Sequence, residues 1–444
     1  MNEGDYSALL PVRYGRFSQH TPPLDVSIPP SYNSRMADKD VNPKLQAKLR
    51  RLGMVKGARK LKPAPPVGSG RFSANSDRLS VSSHQSENHP SNSTPQPLEK
   101  LLPGLERAET AVGACSVLDK VYPLTHKHGA DALADLLAFT PDNVAAYVQD
   151  GRFRGLDFRD FVFLDTETTG LAGAGTLAFM VGVGFFDGDV FITRQYFLRD
   201  HGDEPAMLTL LDELLAEKAG IVSFNGRSFD LPLLDGRYLM NRMPGRILEL
   251  PHLDLLHPAR RLWRERLGSC ALGSLEQTLL HVRRTHADVP GFAIPGMYHD
   301  YLRTGDGREM ARVFYHNEID LLSMVTLTTR LMGLLHQPDN AHPVDVYSLG
   351  KWQAALGLAE LSEKQLKLAA QGDLPLNLYH KALYELGWLL KRNGRRAEAV
   401  PLWQQIAATT FDDVTAHIEL AKFYEWHEPD LSKAIQWTQQ ALTL

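Results

Sequence analysis

Four short stretches carry acidic residues where a strand or helix meets a loop: FLDTETTG (163–170), FNGRSFD (224–230), HLDLLHPAR (252–260) and YHNEID (315–320). Asp165 and Glu167 stand two residues apart at the end of an apolar run. In a strand that spacing aims both carboxylates at one face. Asp230 follows a second apolar run through an Asn-Gly turn, and Asp320 lies in a helical stretch one turn after His316. Three aspartates and a glutamate supply the hard oxygen ligands that Mg2+ or Mn2+ prefers. A pair of such ions ~3.5–4 Å apart can activate the nucleophile and stabilise the leaving oxygen when a phosphodiester is hydrolysed. In this reading Asp165 bridges both ions, and Glu167 ligates one and helps to orient the attacking water. Asp230 and Asp320 close the site from a loop and a helix. Taken singly, each has a plainer use: Asp230 caps a helix with Pro232 in its first turn, and DTETTG is a polar turn.

The elements that must position these groups follow from periodicity. FVFLD and LAFMVGVGFF are apolar runs of strand length, and the second passes through an Asp-Gly-Asp turn (187–189) into VFITRQYFL, which predicts a hairpin. A helix over PAMLTLLDELLAEKA, a strand at GIVSF, a helix through LPLLDGRYLMNRM, then LGSLEQTLLHV and a long DLLSMVTLTTRLMGLL follow. Three early strands and then alternating helices and strands predict an α/β domain, a mixed sheet flanked by helices. Residues 98–160 read as a strand or two and a helix leading into it, so the domain spans 98–338. Beyond 343 the pattern is all helix. Leu386-Gly387 and Leu420-Ala421 recur after 34 residues, and Ala399 and Ala434 after 35. Small residues at that period predict tetratricopeptide-like helical repeats over 343–444, with a single helical cap on the α/β domain as the alternative.

Residues 1–97 are rich in Ser, Pro and Asn and read as a disordered tail. One basic segment interrupts it, VNPKLQAKLRRLGMVKGARKLK (41–62), with eight Lys or Arg and no acid. It is either an arm for nucleic acid or a solvated charge run. A chain of 444 residues exceeds the ~250–300 that one core sustains, so at least two domains are expected. The net charge of −4 does not itself point to nucleic acid, and only local basic patches can decide. Two cysteines, Cys115 and Cys270, cannot build a disulfide framework and fit a reducing compartment. No apolar run approaches the ~20 residues of a membrane span, and the N-terminus lacks a signal-peptide core. The expected location is the cytoplasm.

Several residues are candidates for holding a substrate. Arg260, Arg261, Arg264 and Arg266 surround Trp263, a pattern for phosphate contacts with a stacking aromatic, unless Trp263 belongs to the core. Asn225 and Arg227 stand beside Asp230. His257, at the start of a helix, is placed to approach substrate, whereas Asp254 reads as a supporting or turn residue. The glycines of TGLAGAGT (169–176) lack the lysine of a phosphate loop.

DTETTG, NGRSFD and the late His/Tyr…Asp segment resemble the three exonuclease motifs of the DEDD superfamily, which implies an RNase H-like fold. More narrowly, residues ~100–335 resemble the YprB-type exonuclease family, also called mitomycin repair factor B. HLDLLHPARRLW, LGSCALGSLE and DVPGFAIP strengthen the match, as do the trailing repeats. The resemblance implies metal-dependent 3′→5′ exonuclease action on DNA in repair, beside a helicase or other partner held by the repeats. It assigns the metal ligands to Asp165, Glu167, Asp230 and Asp320. The superfamily's base is a tyrosine four residues before the last aspartate or a histidine five before it. Here the order is exchanged: His316 is four before Asp320 and Tyr315 five before. On a helix a four-residue step turns ~400°, so His316 lies about 40° from Asp320 and Tyr315 about 140°. An imidazole also titrates near neutrality, at ~6.5, and a phenol near ~10. His316 is the expected base, provided the helix begins before it. RNA as substrate, internal cleavage, and a repeat scaffold carrying an inactive nuclease domain remain open.

Overall fold

The computed structural model describes residues 94–170, 175–410 and 413–444. The basic segment 41–62 and the rest of tail residues 1–93 lie outside the described residues. The centre of the fold is a seven-stranded sheet in the order β1-β2-β7-β6-β5-β8-β9. Its strands are β1 (Leu105–Thr110), β2 (Gly113–Pro123), β5 (Phe161–Thr168), β6 (Ala178–Asp187), β7 (Val190–Phe197), β8 (Gly220–Ser223) and β9 (His252–Asp254). A two-residue ribbon, β3 (Lys127–His128) with β4 (Asp131–Ala132), stands apart. Neighbours β1 through β5 pair antiparallel, while β5-β8 and β8-β9 are parallel. The sheet is therefore mixed, as its sequence pattern predicts.

The hairpin expected across 187–189 is β6-β7, with Asp187 paired to Val190. Strand β5 is buried on both faces except at Asp165. That follows from its position between β6 and β8, under helices on either side. Five helices concern the site: α1 (Glu204–Leu215), α2 (Asp230–Met240), α3 (Leu256–Leu262), α4 (Ile294–Thr304) and α5 (Arg308–His336). Helix α5 starts twelve residues before Asp320 (320 − 308), so Tyr315 and His316 sit inside regular helix. It is clamped to β2 by Glu318, which accepts from both Tyr122 Oη and Lys120 Nζ.

Two apolar clusters sandwich the sheet. One joins Val162, Leu164, Val181, Val183 and Met207 to Tyr298 and Phe314. The other joins Phe161, Phe163, Val222, Leu253, Trp263 and Leu321. LGSLEQTLLHV departs from a plain helix: Leu272–Leu275 is α-helical, Glu276–Leu280 widens into a π-helix, and His281 turns left-handed at φ 58°. Such widenings gather at functional sites, and here the register carries Glu276 inward, where it is buried.

Among the described residues six helices follow: α6 (Pro343–Ala355), α7 (Ala359–Gln371), α8 (Leu376–Arg392), α9 (Arg396–Thr409), α10 (Thr415–Trp426) and α11 (Leu431–Thr443). They enclose a third apolar cluster, with Leu386, Ala399, Trp403, Leu420 and Ala434 inside. A Cβ on Gly350 would sit 3.0 Å from Leu366, and one on Gly387 would sit 2.7 Å from Trp403. The small residues thus mark close helix approaches. Arg266 makes a two-pronged bond of 2.8 Å to each oxygen of Asp345, tying α6 to the segment after α3. Among the described residues no helix is long and apolar enough to cross a membrane.

Candidate active site

Strand β5 ends in Asp165-Thr166-Glu167-Thr168, and its register against β6 sets Asp165 opposite Gly182 and Glu167 opposite Met180. The pairing slips between Glu167 and Thr168, which ends the strand at the site. Gly182 is what lets α5 come close: a Cβ there would lie 2.0 Å from Asn317 Oδ1. Asn317 is fully buried and donates through Nδ2 to Asp165 Oδ2 at 2.9 Å. Its own oxygen accepts from Gln195 Nε2 at 2.9 Å. Asp165 is thus aimed by a relay running from β7 through α5.

The loop from β8 to α2 places Asp230. Asn225 is left-handed at φ 69°, a conformation asparagine tolerates. The loop backbone is held by Asp254, which accepts from the N–H groups of Asn225 (2.8 Å), Arg227 (3.1 Å) and Leu256 (3.0 Å). Gly226 leaves room for the loop, since a Cβ there would meet Ser223 Oγ at 2.3 Å. Asp230 opens α2 and accepts a hydrogen bond from Thr166 on β5. Asp254 therefore acts as the turn residue expected of it.

Burial and neighbouring charges resist ionisation of the four carboxylates. Burial first, then the charges of Asp320 and Asp230, raises Asp165 well above the carboxylate range. Burial followed by repulsion from Asp165, Asp320 and Asp230 does the same to Glu167. Burial lifts Asp230 to about 6 against the Thr166 hydrogen bond. Asp320 is also raised by burial, with Arg284 opposing. Acidic groups that mutually resist ionisation define a site suited to positive charge. The donor set of hard oxygens fits Mg2+ or Mn2+ in kind. Among the described residues, however, no group of three or more His, Cys, Asp or Glu is arranged to hold an ion. Instead Asp165 is engaged by Asn317, Asp230 by Thr166, and Asp320 by the guanidinium of Arg284.

His316 sits beside Asp320, with Nε2 3.6 Å from Asp320 Oδ2. Its Nδ1 is 2.7 Å from Asp288 Oδ1 and 3.0 Å from Arg284 Nη1. The shorter contact is to a carboxylate, so Nδ1 donates to Asp288 when it carries the ring proton, and Nε2 then faces Asp320. Burial opposes ionisation of Asp288, but the His316 hydrogen bond and the Arg284 charge outweigh it and hold its pKa low. Tyr315 is used differently: its hydroxyl accepts from the backbone N–H of Thr285 at 3.1 Å, pinning the 281–290 segment to α5. Arg284 also meets Glu276 at 2.6 and 2.7 Å, and Glu276 accepts from Ser323 at 2.6 Å.

Sequence reasoning missed Asn317, Arg284, Asp288 and Glu276. Asp288 had a signal, since it opens the DVPGFAIP segment; Arg284 in VRRT had none. Of the candidate substrate residues, Asn225 and Arg260 line one cleft with Asp165 and Asp320. Arg227 and His257 line a separate cavity with His252, Asp254 and Trp352. Arg261 is exposed and lines neither of these two cavities. Trp263 is buried at 2% exposure, so it packs the core and does not stack on a base.

The sheet order, the strand-end carboxylates and the helix-borne aspartate define a domain of the RNase H superfamily, and the profile of that superfamily matches residues 162–332. The fold implies a nucleic-acid ligand. The match extends further along the chain. It is 30% identical over 340 residues to YprB of Bacillus subtilis strain 168, described only as an uncharacterized protein. The alignment covers 74% of this chain and 80% of YprB. The chain belongs to the YprB family.

Proposed function

We propose that this chain is a divalent-metal-dependent 3′→5′ exonuclease that hydrolyses DNA phosphodiester bonds in DNA repair. One observation carries the reading: Asp165 and Asp320 line one cleft, the charges of Asp320 and Asp230 oppose ionisation at Asp165 and Glu167, and His316 stands beside Asp320 with a carboxylate behind it. The direction of attack and the choice of DNA rest on the motif resemblance. Asp165, Glu167, Asp230 and Asp320 would hold two Mg2+ or Mn2+ ions, which supply charge stabilisation at the attacking and leaving oxygens.

The chain's own residues do the rest. Asn317 and Thr166 fix the rotamers of Asp165 and Asp230, so the carboxylates meet the substrate preorganised. Nε2 of His316 accepts the proton of the attacking water, and Asp288 on Nδ1 stabilises the imidazolium that results. Arg284 offsets the acidic charge at Asp320 and bears on Asp288 and His316 together. Asn225 and Arg260, in the same cleft, are suited to hold the terminal nucleotide and a phosphate. The C-terminal helices are read as tetratricopeptide-like repeats able to hold a helicase or another partner. Cys115 and Cys270 are free and buried, which suits a cytoplasmic enzyme.

The test compares 5′- and 3′-labelled single-stranded DNA, duplex DNA and RNA with Mn2+, with Asp165→Asn as control. A ladder of DNA shortening from the 3′ end, absent in Asp165→Asn, is expected. Internal cuts or preference for RNA would replace this reading with an endonuclease or a ribonuclease. Inactivity on every substrate would leave a scaffold.

A further inference from the structure

The helical domain forms one wall of a basic groove that lies next to the cleft. Arg260 and Arg264, one turn apart on α3 and its continuation, line the cleft that contains Asp165 and Asp320. The same two arginines also line a second groove of about 640 Å³, whose far side is α6 and α8. There Arg261 joins them from the nuclease side, and Lys351 and Arg392 from the helical side. Arg260, Arg261, Arg264 and Arg392 are exposed, and among the described residues none of their four side chains enters an ion pair or hydrogen bond. Lys351 rests its ammonium over the ring of Tyr347, 5.1 Å from the centroid, with no acidic partner. Glu265 is drawn toward Lys381 at 3.8 Å, leaving Glu385 as the acid without such a partner in the groove.

Five cations with one unpaired acid line this groove, which shares Arg260 and Arg264 with the carboxylate cleft. Unpaired cations that repel one another lower stability unless a ligand neutralises them. The contrast with Arg266 is informative. It lies in the same cluster, yet it bonds Asp345 and serves to join the two regions.

We propose that this groove carries the single strand of nucleic acid leading away from the cleft, so that Lys351 and Arg392 of the helical domain are substrate-binding residues. The helices then act as a second jaw for the nuclease as well as a platform for partners. The inference rests on the nuclease reading and extends it to the part of the substrate far from the scissile bond.

The experiment uses the full chain carrying Asp165→Asn to prevent turnover. Binding of fluorescein-labelled 4- and 20-nucleotide single-stranded DNA is measured across a salt series, with and without Lys351→Glu and Arg392→Glu together. The long strand should lose about tenfold in affinity, and its salt slope should fall by about 1.4, which is ~0.7 for each of two phosphate contacts. The 20-mer advantage over the 4-mer should shrink accordingly. A Lys351→Gln, Arg392→Gln pair, checked by circular dichroism, should move the same way and separates charge loss from misfolding. An unchanged 20-mer to 4-mer ratio in folded variants overturns the proposal. If poly-glutamate binds the groove while the 20-mer is indifferent to the substitutions, the groove serves an acidic protein segment and the proposal is wrong. Failure of the parent protein to bind either oligonucleotide would instead bring down the nuclease reading itself.

Discussion

Gly182→Ala is a single methyl group placed where β6 meets α5, and the structure sets its cost. The new Cβ would lie 2.0 Å from Asn317 Oδ1, 2.7 Å from Cγ and 2.8 Å from Nδ2. Ordinary contact begins at 3.4 Å, so Oδ1 must retreat by 3.4 − 2.0 = 1.4 Å. Asn317 is fully buried, and its 2.9 Å bonds to Asp165 and Gln195 do not both survive such a shift. Overpacking costs about 1–3 kcal/mol, and one buried hydrogen bond lost adds ~1 kcal/mol. A total of about 2–4 kcal/mol corresponds to a Tm lowered on the order of 10 °C for a domain of this size. Activity should fall further than stability does, because Asp165 loses its orientation. Thermal unfolding followed by Mn2+-dependent release of nucleotides at 25 °C measures both. Adding Asn317→Ala to Gly182→Ala removes the clash, so Tm should partly recover while activity stays low. Wild-type Tm and wild-type turnover in Gly182→Ala would refute the relay from Gln195 through Asn317 to Asp165.

Two further outcomes test the site and the fold. His316→Ala should reduce kcat about 10²–10⁴-fold and Asp288→Asn by at least about tenfold, whereas Tyr315→Phe should stay within a few-fold because its hydroxyl only pins a backbone N–H. Near-full activity in His316→Ala would transfer the base role elsewhere. His128 is buried behind the site, against Ser323 at 2.8 Å, and burial pushes its pKa from 6.5 down to about 4. Above pH 6.5 both folded and unfolded states hold it neutral, so its contribution is fully present. As pH falls below 6.5 the unfolded chain takes a proton that the folded chain refuses, and about 2 kcal/mol is lost by pH 5. Denaturant unfolding at pH 7 and pH 5 measures this loss, which His128→Gln should flatten; an equal acid loss in that variant would clear His128 of the effect.

Much of the site was legible because it is local. Asp165 and Glu167 share a face through the two-residue period of a strand, and His316 and Asp320 through the turn of a helix. The strand runs and the Asp-Gly-Asp hairpin were legible for the same reason. Trp263 and Arg266 were not. One is apolar area that the core absorbs, and the other found Asp345, 79 residues away.

Alternation and helical turn alone therefore determined which carboxylates share a face, that His316 rather than Tyr315 accompanies Asp320, and that a mixed sheet precedes a helical array. Only the tertiary structure decided what surrounds them: Asn317 behind Asp165, Asp288 and Arg284 around His316, and a helical wall beside α3. Hydrogen bonds and ion pairs between distant segments depend on how the layers close over the sheet, and no periodicity in the chain encodes that closure.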